Sequence, residues 1–310
     1  MFHVYRCRDI FVGLASTFWL LVVTGVLSAY ASEKPLVVVT TSIVADTVRA
    51  LAGNRCDVKA LMGPGVDPHL FKASHGDLAL LSSAKIIFYN GLHLEGKMQD
   101  VLEALKKRKL VYAVSDGIDR EKLRQPAEFA GQYDPHIWFN VELWAETVTV
   151  VLKGLTALLP EYTEDFQRNA QTYRQELITL HMWVHEQVQL VPASQRVLVT
   201  AHDAFGYFGS AYDFEVAGLQ GISTVSEFGL KDVQRIVDLV LKRKIKAIFV
   251  ESSVPERFVA SIQQGVMARG AQVAIGGTLY SDALGDVASG ADTYQGMVRK
   301  NIDTIVKALR

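Results

Sequence analysis

The sequence predicts an α/β protein of two (βα)4-type lobes with parallel sheets, joined by one long rigid linking helix, with a cleft between the lobes. Three observations lead there. Short β-branched runs alternate with helical patterns, the rhythm of parallel βα units. That rhythm occurs twice, with four strands expected in each half. Between the halves, Glu161 to Val191 carry an unbroken apolar stripe without Gly or Pro.

The elements follow in order. "KPLVVVTTSI" is a strand, and "VADTVRALAGN" a helix stopped by Gly53-Asn54. "DVKALM" is a second strand, "GDLALLSSA" a helix and "KIIFYN" a third strand. "KMQDVLEALKKR" is a helix and "KLVYAVS" the fourth strand of the first half. In the linking segment Tyr162, Phe166, Ala170, Tyr173, Leu177, Leu180, Val184 and Val188 recur at intervals of three or four. Pro160 and Pro192 bracket it, giving a helix of about 45 Å at 1.5 Å per residue. A flexible linker would be rich in Gly and Ser. The second half runs through the strand "RVLVTAH", the weaker strand "FEVAGLQG", the helix "KDVQRIVDLVLKRK" and the strand "KAIFVE". The helix "VPERFVASIQQGVMARG", the strand "AQVAIG" and the helix "YQGMVRKNIDTIVKALR" complete it.

The chain of 310 residues is 49% hydrophobic and 21% charged, enough to bury sizeable cores and too apolar for a disordered chain. Its net charge of −1 gives no basic surplus for nucleic acid. Residues 1–31 are expected to be a secretory signal peptide. Arg6 and Arg8 precede the apolar run "IFVGLASTFWLLVVTGVLSAYA", which ends in the small-x-small site Ala29-Tyr30-Ala31. Ser32 follows, so no cysteine is placed to carry a lipid anchor. The expected layout is a signal peptide at 1–31, an N-terminal lobe at 32–160, the linking helix at 161–191 and a C-terminal lobe at 192–310. Past the signal only Cys56 remains, which excludes an internal disulfide and a cysteine zinc site.

Three of the eight histidines sit in unusual settings. His69 follows a strand in "GPGVDPHLF", His136 lies in "YDPHIWFN" ahead of a helix, and His202 ends a strand. Ligands of open α/β folds bind beyond the carboxyl ends of strands. Asp-Pro-His occurs twice, at 67–69 and 134–136. The proline restricts the backbone and fixes the direction of the imidazole. Asp67 and Asp134 are placed to orient the rings through their second nitrogens. A fourth ligand is expected from the Gly-bracketed loop "GGTLYSDALGD", with Asp282 the first choice and Asp286 its rival. Three imidazoles and a carboxylate suit one borderline divalent ion such as Zn2+, whereas calcium and magnesium prefer oxygen shells.

The motifs "GPGVDPHLF", "NGLHLE", "DPHIWFN", "AHDAFGYF", "GLQGISTVSE", "IFVESSVP" and "LYSDALGD" stand in an order that resembles the TroA-like solute-binding proteins of zinc and manganese ATP-binding-cassette (ABC) importers. The resemblance spans about residues 34–310. It implies a bilobed fold with a metal cleft, and metal held by His69, His136, His202 and Asp282. It also implies a periplasmic protein that carries Zn2+ or Mn2+ as transported ligand, without an organic cofactor or nucleic acid. Its partners would be separate permease and ATPase subunits, and the chain itself a monomer. Family members known for manganese often place a glutamate where this chain has His202, which leans the expectation toward zinc. Zinc specialists often carry a long His-rich acidic loop; here only "KASHGDLALL" with His75 follows His69.

Other readings compete. A zinc hydrolase would keep an open water position and a base, for which Glu251 stands nearest; a metal-binding adhesin is the other alternative. "GLHLEGKM" matches a phosphate-loop pattern but fails at Met98, where a hydroxyl should be. His181 and His185 fall four apart on one helical face, able to hold a surface metal, without the His-Glu-x-x-His order of a metalloprotease. His75 and His93 have no partner in the pattern. Phe205, Tyr207, Phe208, Trp138 and Phe139 lie beside the candidate ligands and are expected to pack in the core or on the cleft wall, excluding water.

Overall fold

The first half is a parallel sheet. Strands β1 (Leu36–Val39), β2 (Asp57–Ala60), β3 (Ile86–Tyr89) and β4 (Leu110–Ala113) lie in the order β2-β1-β3-β4. In this computed structural model residues 33–129 and 131–310 are described. The expected signal peptide at 1–31, with His3 and Cys7, lies outside the described residues. β1 is central and its Val37, Val38 and Val39 are wholly buried, as a strand covered on both faces requires. It is shorter than its β-branched run suggests. Thr41 caps helix α1 (Ser42–Ala52) by accepting from the Val44 amide, so Ser42 and Ile43 turn into the helix. Helices α2 (His75–Ser83), α3 (Gln99–Lys106) and α4 (Val141–Leu158) complete this half.

The second half holds two parallel pairs, β5 (Val197–His202) with β6 (Glu215–Gln220) and β7 (Ala247–Glu251) with β8 (Ala274–Leu279). β5 packs beside β7. Helices α6 (Gly206–Tyr212), α7 (Leu230–Arg243), α8 (Arg257–Ala268) and α9 (Tyr294–Leu309) cover them. Each half thus has the four strands expected. The last strand is displaced: β8 begins three residues late and runs on through Gly277, Thr278 and Leu279, expected in the loop. A Cβ at Gly276 would come within 2.6 Å of the Phe249 ring, and Gly277 has a φ of +134° beside a register shift at Ile248/Phe249. These glycines serve close approach and a bulge, not a turn.

The linking helix is α5 (Thr163–Val188), 26 residues or about 39 Å. A short 3-10 turn at Pro160–Tyr162 takes up its expected start. Phe166, Ala170, Tyr173, Leu177, Leu180, Val184 and Val188 form its buried face. They pack against α1, α4 and α9. One core runs from β1 and α1 through α4 and α5 to α9 and β7, while a second fills the space among β5, β7, α7 and α8. Lys34–Arg310 accordingly form one compact unit. Polar ties reinforce it: the Leu284 amide donates to Ser42 Oγ at 2.9 Å and the Tyr294 hydroxyl to the Trp138 carbonyl at 2.8 Å. Among the described residues no helix is long and apolar enough to cross a membrane.

Because Leu177 is 1% exposed at the middle of this shared core, Leu177→Ala should cost about 2–5 kcal/mol. Urea unfolding should show a lower midpoint at unchanged slope; an unaltered midpoint would contradict the helix's place in the core.

Candidate metal centre

Four side chains from distant parts of the chain meet in one buried point. His69 lies between β2 and α2, His136 just before the short turn that leads to α4, His202 at the end of β5, and Asp282 three residues beyond β8. None is more than 3% exposed. One donor atom of each falls within 4.8 Å of all the others. Nε2 of His69 stands 3.3 Å from Nε2 of His136. Asp282 carboxylate oxygens are 3.4 Å from His202 Nε2, 3.6 Å from His136 Nε2 and 3.9 Å from His69 Nε2. An ion about 2.05 Å from four tetrahedral donors would separate them by about 3.3 Å. The donors therefore stand near a metal's own spacing.

The surrounding groups fix the rings unequally. In both Asp-Pro-His copies the aspartate accepts the amide of the histidine two residues on, at 2.8 Å for Asp67 and 3.0 Å for Asp134, a local Asx turn. Asp134 also meets His136 Nδ1 at 2.8 Å, as expected. Asp67 does not orient the His69 ring. Its second oxygen instead accepts the Thr224 hydroxyl at 2.6 Å, so it joins the His69 loop to the second half. His202 is held by Glu251, which accepts its amide at 2.8 Å and lies 2.6 Å from Nδ1, in close charge contact rather than an aligned hydrogen bond. The Asn90 amide group donates to the Pro135 carbonyl at 3.0 Å and so steadies the His136 loop.

The family described as ZnuA, the periplasmic component A of a zinc-uptake complex, matches residues 37–308. The chain belongs to the ZnuA family. It is 48% identical over 285 residues to the zinc-binding protein TroA of Treponema pallidum, covering 92% of each chain. It is 46% identical over 280 residues to the manganese-binding lipoprotein MntA of Bacillus subtilis, covering 90% of this chain and 91% of that one. The solved structure of the periplasmic zinc-binding protein TroA from Treponema pallidum superposes with a TM-score of 0.87 at 49% identity, over 89% of this chain and 99% of that one. Relatives named for zinc and for manganese are thus nearly equally similar, and overall identity does not choose between the metals.

Electrostatics in this ZnuA-family site are strongly coupled. Burial pushes the Asp282 carboxyl up, but His202, His136 and His69 together hold it well below the usual carboxylate range. Burial opposes a charge on His202, yet Glu251 and then Asp282 raise it well above an ordinary imidazole. Burial lowers His69 to about 3, helped by its two histidine neighbours against the pull of Asp282. His202, favoured in its charged form by Glu251 as well, is thus the neighbour that does most to keep Asp282 ionised.

The remaining sequence candidates stand elsewhere. Asp286 is exposed and caps the turn Val287–Ser289. His75 and His93 are exposed, and His93 contacts Gln99 at 2.9 Å. His181 and His185, both on α5, face Tyr212 of α6. In "GLHLEGKM" the loop is filled from within: Glu95 accepts the Asn90 and Gly91 amides and the Thr40 hydroxyl, leaving those donors none for a phosphate. Trp138 packs edge-on against His136 with its indole on the Ser281 carbonyl, and Phe139 stacks on Phe205 at 4.1 Å. Trp138 thus walls the site, while Phe139, Phe205 and Phe208 belong to the core with Val184 of α5 and Ile302 of α9. The Tyr207 hydroxyl donates to the Asp134 carbonyl.

Sequence reasoning missed three supports. Glu251 was visible as the charged end of a buried strand, a signal that pointed to a partner rather than a base. Thr224 and Arg124 gave none. Arg124 donates to the Gly206 carbonyl at 2.8 Å and lies 3.5 Å from Asp134, so it clamps α6 to the His136 support.

Removing Glu251 strips the buried His202 of its nearer carboxylate, so in the metal-free protein Glu251→Ala should cost about 3–5 kcal/mol. The raised His202 value fixes the sign. Its stabilisation is complete below the unfolded value of about 6.5 and is lost as pH rises through the folded value. Urea unfolding from about pH 5 upward should therefore show the largest gap between wild type and variant below about pH 6.5, narrowing above it. A gap that widens with pH would contradict this pairing.

Proposed function

We propose that this chain captures one divalent transition metal ion, Zn2+ or Mn2+, outside the cytoplasm and delivers it to the permease and ATPase subunits of an ABC importer. His69, His136, His202 and Asp282 are the ligands. The observation that carries this reading is the convergence of three Nε2 atoms on one ionised carboxylate at 3.4–3.9 Å, closed from solvent. Metal supplies the positive charge that Asp282 requires. A shell richer in nitrogen than oxygen favours zinc over manganese, because affinity rises along the divalent series toward copper and stands higher for zinc. The names of TroA and MntA support both metals as cargo.

In this reading the lobes are 32–160 and 192–310, with 161–191 between them. His69 and His136 come from the first, His202 and Asp282 from the second. α5 and the shared core allow only a small opening. The chain acts as a monomeric carrier and not as an enzyme: four protein ligands close a tetrahedral shell, and the one suggested base, Glu251, is engaged with His202. Residues 1–31 direct export to the periplasm. MntA is named a lipoprotein, whereas here Ser32 follows the cleavage site, so the carrier is free rather than lipid-anchored.

Elemental analysis of purified, reloaded protein should give about one Zn2+ per chain, and a thermal midpoint raised by bound metal. His69→Ala, His136→Ala, His202→Ala and Asp282→Ala should each remove that ion. Undiminished stoichiometry in any of the four would show that residue is not a ligand, and in all four would overturn the site.

A further inference from the structure

A second group of metal-binding side chains lies on the linking helix. His181 and His185 are one turn apart on α5, with ring centroids 4.6 Å from each other and planes at 85°. Both rings pack on Tyr212 of α6, at 5.5 and 5.0 Å. His181 is half-buried and His185 exposed, so the pair opens to solvent on one side only.

We propose that His181 and His185 form a second, weaker site for a borderline divalent ion, Cu2+, Ni2+ or Zn2+, distinct from the cleft site. The Tyr212 oxygen lies 3.0 Å from His181 Nδ1. That contact occupies one ring nitrogen and leaves Nε2 for a ligand, the arrangement in which a metal-binding histidine hands its other N–H to an acceptor. The Tyr212 oxygen also receives the Val141 amide at 3.4 Å, and its second lone pair accepts His181 Nδ1–H once metal sits on Nε2. Histidines four apart present their side chains on the same helical face, about 5–6 Å apart at Cβ, and the exposed His185 ring turns to bring its nitrogen to the same ion. Burial and the neighbouring His185 both lower the His181 value against the pull of Glu142, which favours the neutral imidazole that a metal needs. Glu142, at the first turn of α4, is the acidic side chain whose charge acts on both His181 and Tyr212. Waters fill the remaining positions. Two imidazoles without a pre-arranged carboxylate select for nitrogen-seeking ions, with copper the strongest, and against Mn2+.

The cleft site takes Mn2+ in the proposed function and this pair does not, which separates the two experimentally. Untagged full-length protein, titrated calorimetrically with Cu2+ or Zn2+ alone, should take up about two ions per chain, the second more weakly, and with Mn2+ about one. His185→Gln and His181→Gln should each abolish the second event and leave the first intact, while His69→Ala should remove only the first. The copper-loaded His69→Ala protein should give an electron paramagnetic resonance spectrum with nitrogen couplings, lost in the His69→Ala/His185→Gln double variant. A single Cu2+ event in wild type, a second event that survives both glutamine variants, or a second Mn2+ at the same place would each overturn the proposal. Loss of the first event alone would count against the cleft reading and not against this one.

Discussion

One fully buried carboxylate ringed by three imidazoles is the constraint on which the rest of this structure depends. Asp282 is 1% exposed, and an ionised carboxylate removed from water needs a positive charge beside it. In the metal-free chain the imidazoles lend it, His202 foremost. A divalent ion satisfies the same need with all four donors at once. The closest donor pairs stand 3.3–3.9 Å apart and all four lie within 4.8 Å of one another, which leaves room for one ion at their centre. The site is therefore built as a holder of cations.

Everything around it keeps four donors from two halves of the chain at that spacing. The core shared by α1, α4, α5 and α9 prevents the halves from drifting apart. Asp134 and Glu251 orient His136 and His202 from behind. His69 is held differently, through its backbone and through the contact between Asp67 and Thr224. Its ring has no carboxylate behind it, and it belongs to a segment outside the helices and strands. Two rings are thus anchored by their second nitrogens and one by its loop.

Much of this was legible in the sequence. Alternating β-branched runs and helical stripes gave the eight strands and the buried face of α5, because a strand or helix covered by protein must be apolar where it is covered. The repeated Asp-Pro-His and the strand-terminal His202 marked three of the four side chains that meet. The Gly-bracketed loop pointed to Asp282 ahead of its rival Asp286. What stayed hidden were contacts made only in three dimensions. Nothing local tells that Thr224 will meet Asp67 across 157 positions, or that Arg124 will reach Gly206 across 82. The role given to Asp67 failed for the same reason: the tripeptide sets the turn, while the surroundings decide where the second oxygen goes. Gly277 looked like a loop residue because what it packs on, Thr304 of α9, is distant in the chain.

X-ray absorption at the zinc edge of the loaded protein tests the central claim most directly. The account predicts four nitrogen or oxygen neighbours at about 2.0–2.1 Å, with the outer-shell scattering of three imidazoles and no sulfur. A shell with fewer than three imidazoles, or a sulfur neighbour at about 2.3 Å, would contradict it.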